Sequence, residues 1–449
     1  MRSKDSTTDG WRGLPGPRWS EREILSVVLR LAASGALAST TLIGFDTRAG
    51  SRELARLAAT LLRQRGLRVG LAQEYTPTPA VGRFAHRHDW VAASLTFTAS
   101  HNPPGTIGLK FRSGDGYTPP SQDLPDADVN VLDLLESLGT SSQPPPDPLD
   151  PTADYAATVG TALSRTLADF DGQVVLDCAY GAVGPVAARI GGLRVARKLP
   201  LPFFSGITPD PMLQTDMEQI STVLLGRSRS PERTVVAMTD GDGDRLALFT
   251  RRSGYINSSE LAAVLLTSAG SPHVLITTSV APSLAATAAE AAGVGVVYAA
   301  VGFKNVVAAW KESGRPSAIG LEPNGGIARA GSATDYFERD ALAALTLALR
   351  ATGSVDGLDR AVALVRALVP FRQRQHNVAA DPEVVAAAVR TVLPGWTERR
   401  ALDATVFTDA GVGGRVALRQ SGTEPLTRLY MELPAHLTDS LRALLPAAG

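Results

Sequence analysis

The chain has 449 residues, more than one compact core normally organises, so several domains are expected. With 44% hydrophobic and 20% charged residues, 42 Gly and 30 Pro, it is globular and rich in turns rather than disordered. Its 44 basic residues are matched by 44 acidic ones and no basic run occurs, which excludes a general nucleic-acid binder but leaves room for a local anion pocket.

The single cysteine, Cys178, can form no internal disulfide, which suits a reducing cytosol. Met1 to Trp11 is polar and has no apolar signal core, and no stretch of roughly 18 apolar residues suggests a membrane span. A cytoplasmic protein without membrane or nucleic-acid partners is expected.

Taken in chain order, Glu21–Leu37 carries Ile24, Val27, Val28 and Leu31 at helical spacing. Thr41–Phe45 reads as a strand, Ser51–Gln64 as a helix and Arg68–Ala72 as a strand. Val91–Thr98 is a further strand that runs into Ala99-Ser100-His101-Asn102-Pro103. Ser141–Pro151 (SSQPPPDPLDP) reads as a linker, because closely spaced prolines sustain neither helix nor central strand. A second α/β unit has the strand Gln173–Asp177, a helix at Gly181–Ile190, and the strands Thr234–Met238 and Leu246–Phe249. The third starts near Ser258, with a helix to Ala269, the strand His273–Thr277, the helix Ala281–Ala292 and the strand Val296–Ala299. A last piece from about Pro370 ends in Arg419–Glu432. The repeated blocks suggest internal duplication, although no strict sequence period is present.

Three segments carry chemistry. Asp240-Gly-Asp-Gly-Asp244 places three carboxylates at alternate positions between apolar strands, and its two glycines let the oxygens converge on one hard cation. A calcium EF-hand loop would need Gly and Glu where Arg245 and Arg251 stand. Ser100 follows a strand, where a side chain can be exposed and held rigidly, although taken alone it reads as an ordinary turn serine. His101, its neighbour, does not make it a hydrolase serine, since no G-x-S-x-G elbow surrounds it. Arg419-Gln-Ser421-Gly422-Thr423 with Arg428 offers hydroxyls, backbone N–H groups and two guanidinium forks, the ingredients of a phosphate cradle. Val301–Lys304 and Gly320–Gly326 read, by themselves, as ordinary turns.

Together these segments resemble the α-D-phosphohexomutase family (phosphoglucomutases, phosphomannomutases and phosphoglucosamine mutases). Thr8-Asp-Gly-Trp-Arg-Gly13, Gly44-Phe-Asp-Thr-Arg48, Thr98-Ala-Ser-His-Asn-Pro-Pro104 with Gly108-Leu-Lys110, Asp240–Arg245, Val301–Lys304, Glu322–Gly326 and Arg419–Glu432 follow the family's order along nearly the whole chain. The resemblance implies an α/β fold of four domains around a central cleft: three similar α/β units and a smaller α+β C-terminal domain. The expected ranges are 1–145 with the serine loop, 150–255 with the metal loop, 256–368 with the sugar-recognition loop and 369–449 with the phosphate-binding loop.

It further implies that Ser100 is a phosphoserine and that Mg²⁺ is held by Asp240, Asp242, Asp244 and an oxygen on Ser100. Arg12 and Lys110 would flank the transferring group and offset its developing charge, with Lys110 also a base if desolvation lowers its pKa. Arg245, Lys304, Glu322 and Asn324 would contact substrate, and Arg419, Ser421, Gly422, Thr423 and Arg428 its phosphate. The implied activity is reversible phosphoryl transfer between the 1- and 6-positions of glucose, mannose or glucosamine phosphate, with a sugar 1,6-bisphosphate as intermediate and activator, in a monomer or homodimer. A sugar-phosphate phosphatase, a mutase of an unusual sugar phosphate and a non-catalytic sugar-phosphate binder are the alternatives. Many members have Ser and His where this chain has Asn324 and Gly326; Leu321 stands for a usual glycine and Ile107 for a usual asparagine.

Overall fold

The computed structural model describes residues 6–7, 9–16, 20–37, 40–119, 146–268, 270, 272–331, 335–409, 411–421 and 426–445. They form four sheets with helices packed against them. No helix of the described residues is long and apolar enough to cross a membrane.

Three of the sheets share one plan. In the first, Thr40–Phe45 lies between two parallel partners, Arg68–Ala72 and Val91–Phe97, and Val91–Phe97 turns back into the antiparallel Ile107–Ser113. In the second, Gln173–Asp177 lies between Arg194–Ala196 and Thr234–Thr239, and the latter turns back into Leu246–Thr250. In the third, Val274–Thr278 lies between Gly295–Ala299 and Ala318–Glu322, and Ala318–Glu322 turns back into Gly326–Ala330. The fourth sheet is antiparallel throughout, in the order Arg374–Val378, Thr427–Glu432, Gly414–Gln420, Ala404–Asp409, Thr397–Ala401. The duplication is therefore one of topology. It leaves no period in the sequence because the connections between strands differ in length.

This plan places the chemistry. The serine loop, the aspartate loop and the Pro323-Asn324-Gly325 turn each join the two strands of an antiparallel hairpin, one from each of the first three sheets, and Ser421 ends a strand of the fourth. A hairpin tip leaves its backbone groups available for ligands, while the flanking strands fix its position.

Amphipathic patterning explains the packing. The helix Ser51–Gln64 buries Leu54, Ala55, Ala58, Ala59, Leu61 and Leu62 on one side, against the first sheet. The first and fourth sheets have cores of their own. The second and third share one, because the helices Ala341–Thr352 and Val355–Arg366 bury Leu342, Leu345, Leu349, Leu358 and Val362 in a cluster that also holds Leu176, Leu246 and Leu275.

Two sequence expectations change. Asp147–Leu149 is not linker; it pairs in parallel with Arg68–Ala72 at the edge of the first sheet. Proline is tolerated at an edge, where its missing N–H need serve no neighbour. Pro151 then starts the helix Pro151–Tyr155, capped by the Asp150 carboxylate accepting from Ala153 N at 2.8 Å. Residues 141–145 of the expected linker lie outside the described residues. The expected helix at Gly181–Ile190 shrinks to Val183–Ala187.

Candidate functional site

Ser100 is buried and sits in the left-handed region at φ 54°, a conformation that costs a residue with a Cβ and is kept only where its surroundings impose it. Those surroundings are specific. Ser100 N donates to Thr98 Oγ1 at 2.8 Å, and Thr98 Oγ1 donates to Asp46 Oδ2 at 2.6 Å. Arg48 binds the loop from beneath. Its Nη2 donates to the carbonyls of Ser100 (2.6 Å) and Asn102 (2.7 Å), and its Nη1 to those of Pro103 (2.8 Å) and Thr106 (3.1 Å), while Asp46 faces its Nε at 3.2 Å. The strand-end motif Gly44–Arg48 is thus the clamp of the serine loop, a role its sequence did not disclose.

The aspartate loop rises against this one. Ser100 Oγ donates to Asp240 Oδ2 at 2.8 Å. Gly241 is required here, because a Cβ on it would lie 2.7 Å from the Ser100 carbonyl oxygen. Carboxylate oxygens of Asp240, Asp242 and Asp244 lie within 4.8 Å of one another, all three residues are buried, and the group can hold a metal ion. Burial and the neighbouring charges of Asp242 and Asp244 push the Asp240 carboxyl well above the usual carboxylate range. For Asp242, burial opposes ionisation but Lys110 and the Thr78 hydroxyl outweigh it and lower the pKa. Asp242 Oδ1 and Asp244 Oδ1 are buried without a hydrogen-bond partner. An unsatisfied buried polar atom costs on the order of 1–3 kcal/mol, more if charged, so two such oxygens beside a crowded third carboxylate are what a hard-cation site requires.

Lys110 Nζ reaches Asp244 (2.7 Å), Asp242 (2.8 Å) and Asp9 (3.0 Å). Burial works against its charge, but these three carboxylates outweigh burial and raise its pKa. The condition under which Lys110 would be a base, a pKa lowered by desolvation, does not hold in this arrangement, which leaves its other expected part, a positive charge. Arg12 lies beside the serine loop, donating to Asn102 Oδ1 at 3.3 Å and pairing with Asp9 at 3.5 Å. His101 Nδ1 lies 3.4 Å from Ser100 Oγ and its Nε2 3.3 Å from Arg245 Nη2. Burial, with Arg245 and Arg12 nearby, drives its pKa well down, so the ring is neutral. Arg245 also faces Asp210 at 3.5 Å.

The third hairpin meets the aspartate loop. Leu246 N donates to Gly325 O at 3.1 Å, which joins its tip to the aspartate loop. Glu322 is buried, and the buried Asn324 Oδ1 has no hydrogen-bond partner. Lys304 lies half-buried in the first turn of the helix Phe303–Glu312. Arg339, not singled out by the sequence, is buried between these parts. It reaches Asp9 (2.5 Å), Asp244 (3.2 Å) and Glu322 (3.5 Å), each on a different hairpin or strand end.

Of the expected phosphate cradle, Arg419 and Arg428 face each other across the fourth hairpin and Ser421 N closes on Leu426 O at 2.8 Å. Gly422 and Thr423 lie outside the described residues. Arg419 Nε donates to Asp403 Oδ2 at 2.6 Å; that oxygen also accepts from Val301 N at 3.1 Å, and Asp403 Oδ1 accepts from Ser279 Oγ at 2.7 Å. Asp403 thus fastens the fourth sheet to the loop that precedes Lys304.

Comparison with known proteins agrees with this arrangement. Residues 4–126 match the family description "Phosphoglucomutase/phosphomannomutase, alpha/beta/alpha domain I" and residues 257–366 match domain III of the same family. A phosphoglucosamine mutase of Nocardioides sp. is 29% identical, with 95% of this chain and 93% of that protein covered. One from Mycobacterium ulcerans is also 29% identical, covering 98% of this chain and 99% of its own. Among solved structures, a putative phosphomannomutase from Thermus thermophilus superposes with a TM-score of 0.73 at 23% identity over 97% of both chains, a likeness of fold.

Proposed function

We propose that this chain, which belongs to the α-D-phosphohexomutase family, moves a phosphoryl group between the 1- and 6-positions of a hexose phosphate through Ser100. The observation that carries the proposal is Ser100 Oγ seated 2.8 Å from Asp240 in a carboxylate triplet that still has two orphaned oxygens. A protein that only binds sugar phosphates needs neither the serine nor the triplet.

The residues fit a divalent cation. Asp240, Asp242 and Asp244 would hold Mg²⁺ together with an oxygen on Ser100, since Mg²⁺ favours hard oxygen ligands. Bound there, Mg²⁺ supplies charge neutralisation to the phosphoryl group in transit. The chain's own residues do the rest. Arg12, which holds Asn102 of the serine loop, and Lys110, which holds Asp242 of the aspartate loop, would add two positive charges to offset that of the departing phosphoryl group. As the bond from a sugar hydroxyl oxygen to phosphorus forms, the bond from phosphorus to Ser100 Oγ breaks, and the hydroxyl's proton ends on Ser100 Oγ as that oxygen is released. The resulting sugar 1,6-bisphosphate turns over and returns its other phosphate to Ser100.

Glu322 and Asn324 would hold sugar hydroxyls, with Arg245 and Lys304 as further contacts. Arg419, Ser421, Gly422, Thr423 and Arg428 would grip the phosphate that does not react. The two named relatives make glucosamine phosphate the first substrate to test, beside glucose and mannose phosphates, and the cytoplasm is the proposed place of action. The test is a coupled assay over these sugar 1-phosphates with a trace of 1,6-bisphosphate. Turnover of at least one is expected; no turnover of any by phosphorylated protein would contradict the proposal.

Two loops divide the labour. Arg419 meets a phosphate common to every substrate, and a charged hydrogen bond of this kind contributes about 1.5–3 kcal/mol, roughly ten- to a hundredfold in affinity. Arg419→Ala is expected to weaken all sugar phosphates by a similar factor. Asn324→Ala is expected to change their ranking more than their common affinity. Values of kcat/KM for three sugar 1-phosphates decide it; re-ranking by Arg419→Ala with uniform scaling by Asn324→Ala would reverse the assignment.

A further inference from the structure

We infer that Arg339 is a positioning residue for sugar recognition: it fills the place beside Glu322 that a side chain at position 326 would occupy, and ties Glu322 to the aspartate loop. The inference rests on the mutase reading of the site.

Glu322 and Gly326 are partners in the register of the third hairpin, so substituents at the two positions lie side by side on one face. Position 326 has no side chain, and the space is taken. A Cβ built on Gly326 would lie 2.3 Å from Arg339 Cδ and 2.8 Å from its Cγ. The Arg339 stem thus crosses the bare backbone of the hairpin, and Nη1 arrives 3.5 Å from Glu322 Oε2. The other end of the fork goes to the transfer centre. Nη2 lies 3.2 Å from Asp244 Oδ2 and 2.5 Å from Asp9 Oδ2. Asp9 in turn faces Lys110 Nζ at 3.0 Å. Phe303, next to Lys304, lies beneath the guanidinium at 5.3 Å.

A lysine cannot reproduce this. Its ammonium is one point, whereas the planar guanidinium spans the gap between Glu322 and Asp244 with separate nitrogens. One rigid group therefore sets both where the sugar's hydroxyls are held and where the metal-loop carboxylate stands. Positional errors near one ångström between a bound substrate and a reacting group cost on the order of a hundredfold in rate.

The experiment compares Arg339→Lys, Gly326→Ala and Glu322→Gln, and the Arg339→Lys/Glu322→Gln double variant, on the two best bound of glucosamine 1-phosphate, glucose 1-phosphate and mannose 1-phosphate. It measures kcat and KM for each sugar and, by calorimetry, the affinity of each sugar. Arg339→Lys is expected to lower kcat by about tenfold or more, with a smaller change in KM. It should also shift the ratio between the two sugars in the same direction as Glu322→Gln. The double variant should shift that ratio no further than Glu322→Gln alone, because residues acting as one unit are not additive. Gly326→Ala keeps every charge and should produce the same shift by displacing Arg339. An unchanged sugar ratio in Arg339→Lys and Gly326→Ala, or multiplied effects in the double variant, would overturn the inference. If the wild-type chain binds these sugars without turning them over, the mutase reading fails, and the affinity ratios still decide the role of Arg339. Binding of neither sugar would overturn both.

Discussion

Ser100→Ala is expected to lose essentially all phosphoryl transfer, by about 10⁴-fold or more, the scale seen when a covalent nucleophile is removed. The substitution takes away the one oxygen that the mechanism loads and unloads, and little else. Alanine and serine both carry a Cβ, so the backbone strain at φ 54° is unchanged, and the Arg48 clamp holds carbonyl groups rather than the hydroxyl. The variant should therefore fold, melt near the wild-type temperature and still bind sugar phosphates, while forming no bisphosphate from a monophosphate. A variant that kept a tenth of wild-type turnover would remove Ser100 from the mechanism.

Asp242→Asn has the second large effect. It takes one charged oxygen from a site that lacks partners for Asp242 Oδ1 and Asp244 Oδ1. Turnover is expected to fall by about 10²-fold or more, from lost charge stabilisation of several kcal/mol in the transition state. Two further readouts separate the metal from general damage. Chelation should silence the wild type, and added Mg²⁺ should restore it. Mg²⁺ should also raise the wild-type melting temperature, since a ligand that binds only the folded state stabilises it, and should do so much less in the variant. Undiminished turnover of thoroughly chelated protein would rule the site out.

How legible this protein is from sequence depends on how local each feature is. The helix Ser51–Gln64 and the strands Arg68–Ala72 and Gln173–Asp177 match their predicted limits, because their apolar spacing and flanking turns lie within one window. Asp147–Leu149 was misread because proline argues against a strand only when that strand is central, and edge position is not written in the segment itself. The serine and aspartate loops can be picked out as candidates because each puts its polar residues into a few consecutive positions at a hairpin tip. Arg48 and Arg339 cannot. Each is a lone arginine with decisive partners far along the chain, Arg48 and the Ser100 carbonyl being 52 residues apart and Arg339 and Asp9 330, and only the fold brings them together. The sequence offers Lys110 as a cation and, were desolvation to lower its pKa, as a base; it does not show which holds. Its burial could be anticipated, whereas the three carboxylates around it come from two separate loops. The shared core of the second and third sheets was hidden for a similar reason: helices that follow the third sheet pack back onto the second.

The central claim is that Ser100 passes its phosphoryl group to a sugar and recovers one from it without loss to water. The most direct test is a single-turnover chase. Protein carrying an isotopically labelled phosphoryl group, mapped to Ser100 by peptide mass spectrometry, is mixed with unlabelled hexose 1-phosphate and Mg²⁺ and quenched over time. The account predicts that label leaves Ser100, appears first in hexose 1,6-bisphosphate and then in hexose 6-phosphate, with inorganic phosphate a minor product and Ser100 rephosphorylated by unlabelled phosphate. Label that stays on the serine, maps to another residue or emerges mainly as inorganic phosphate would contradict it.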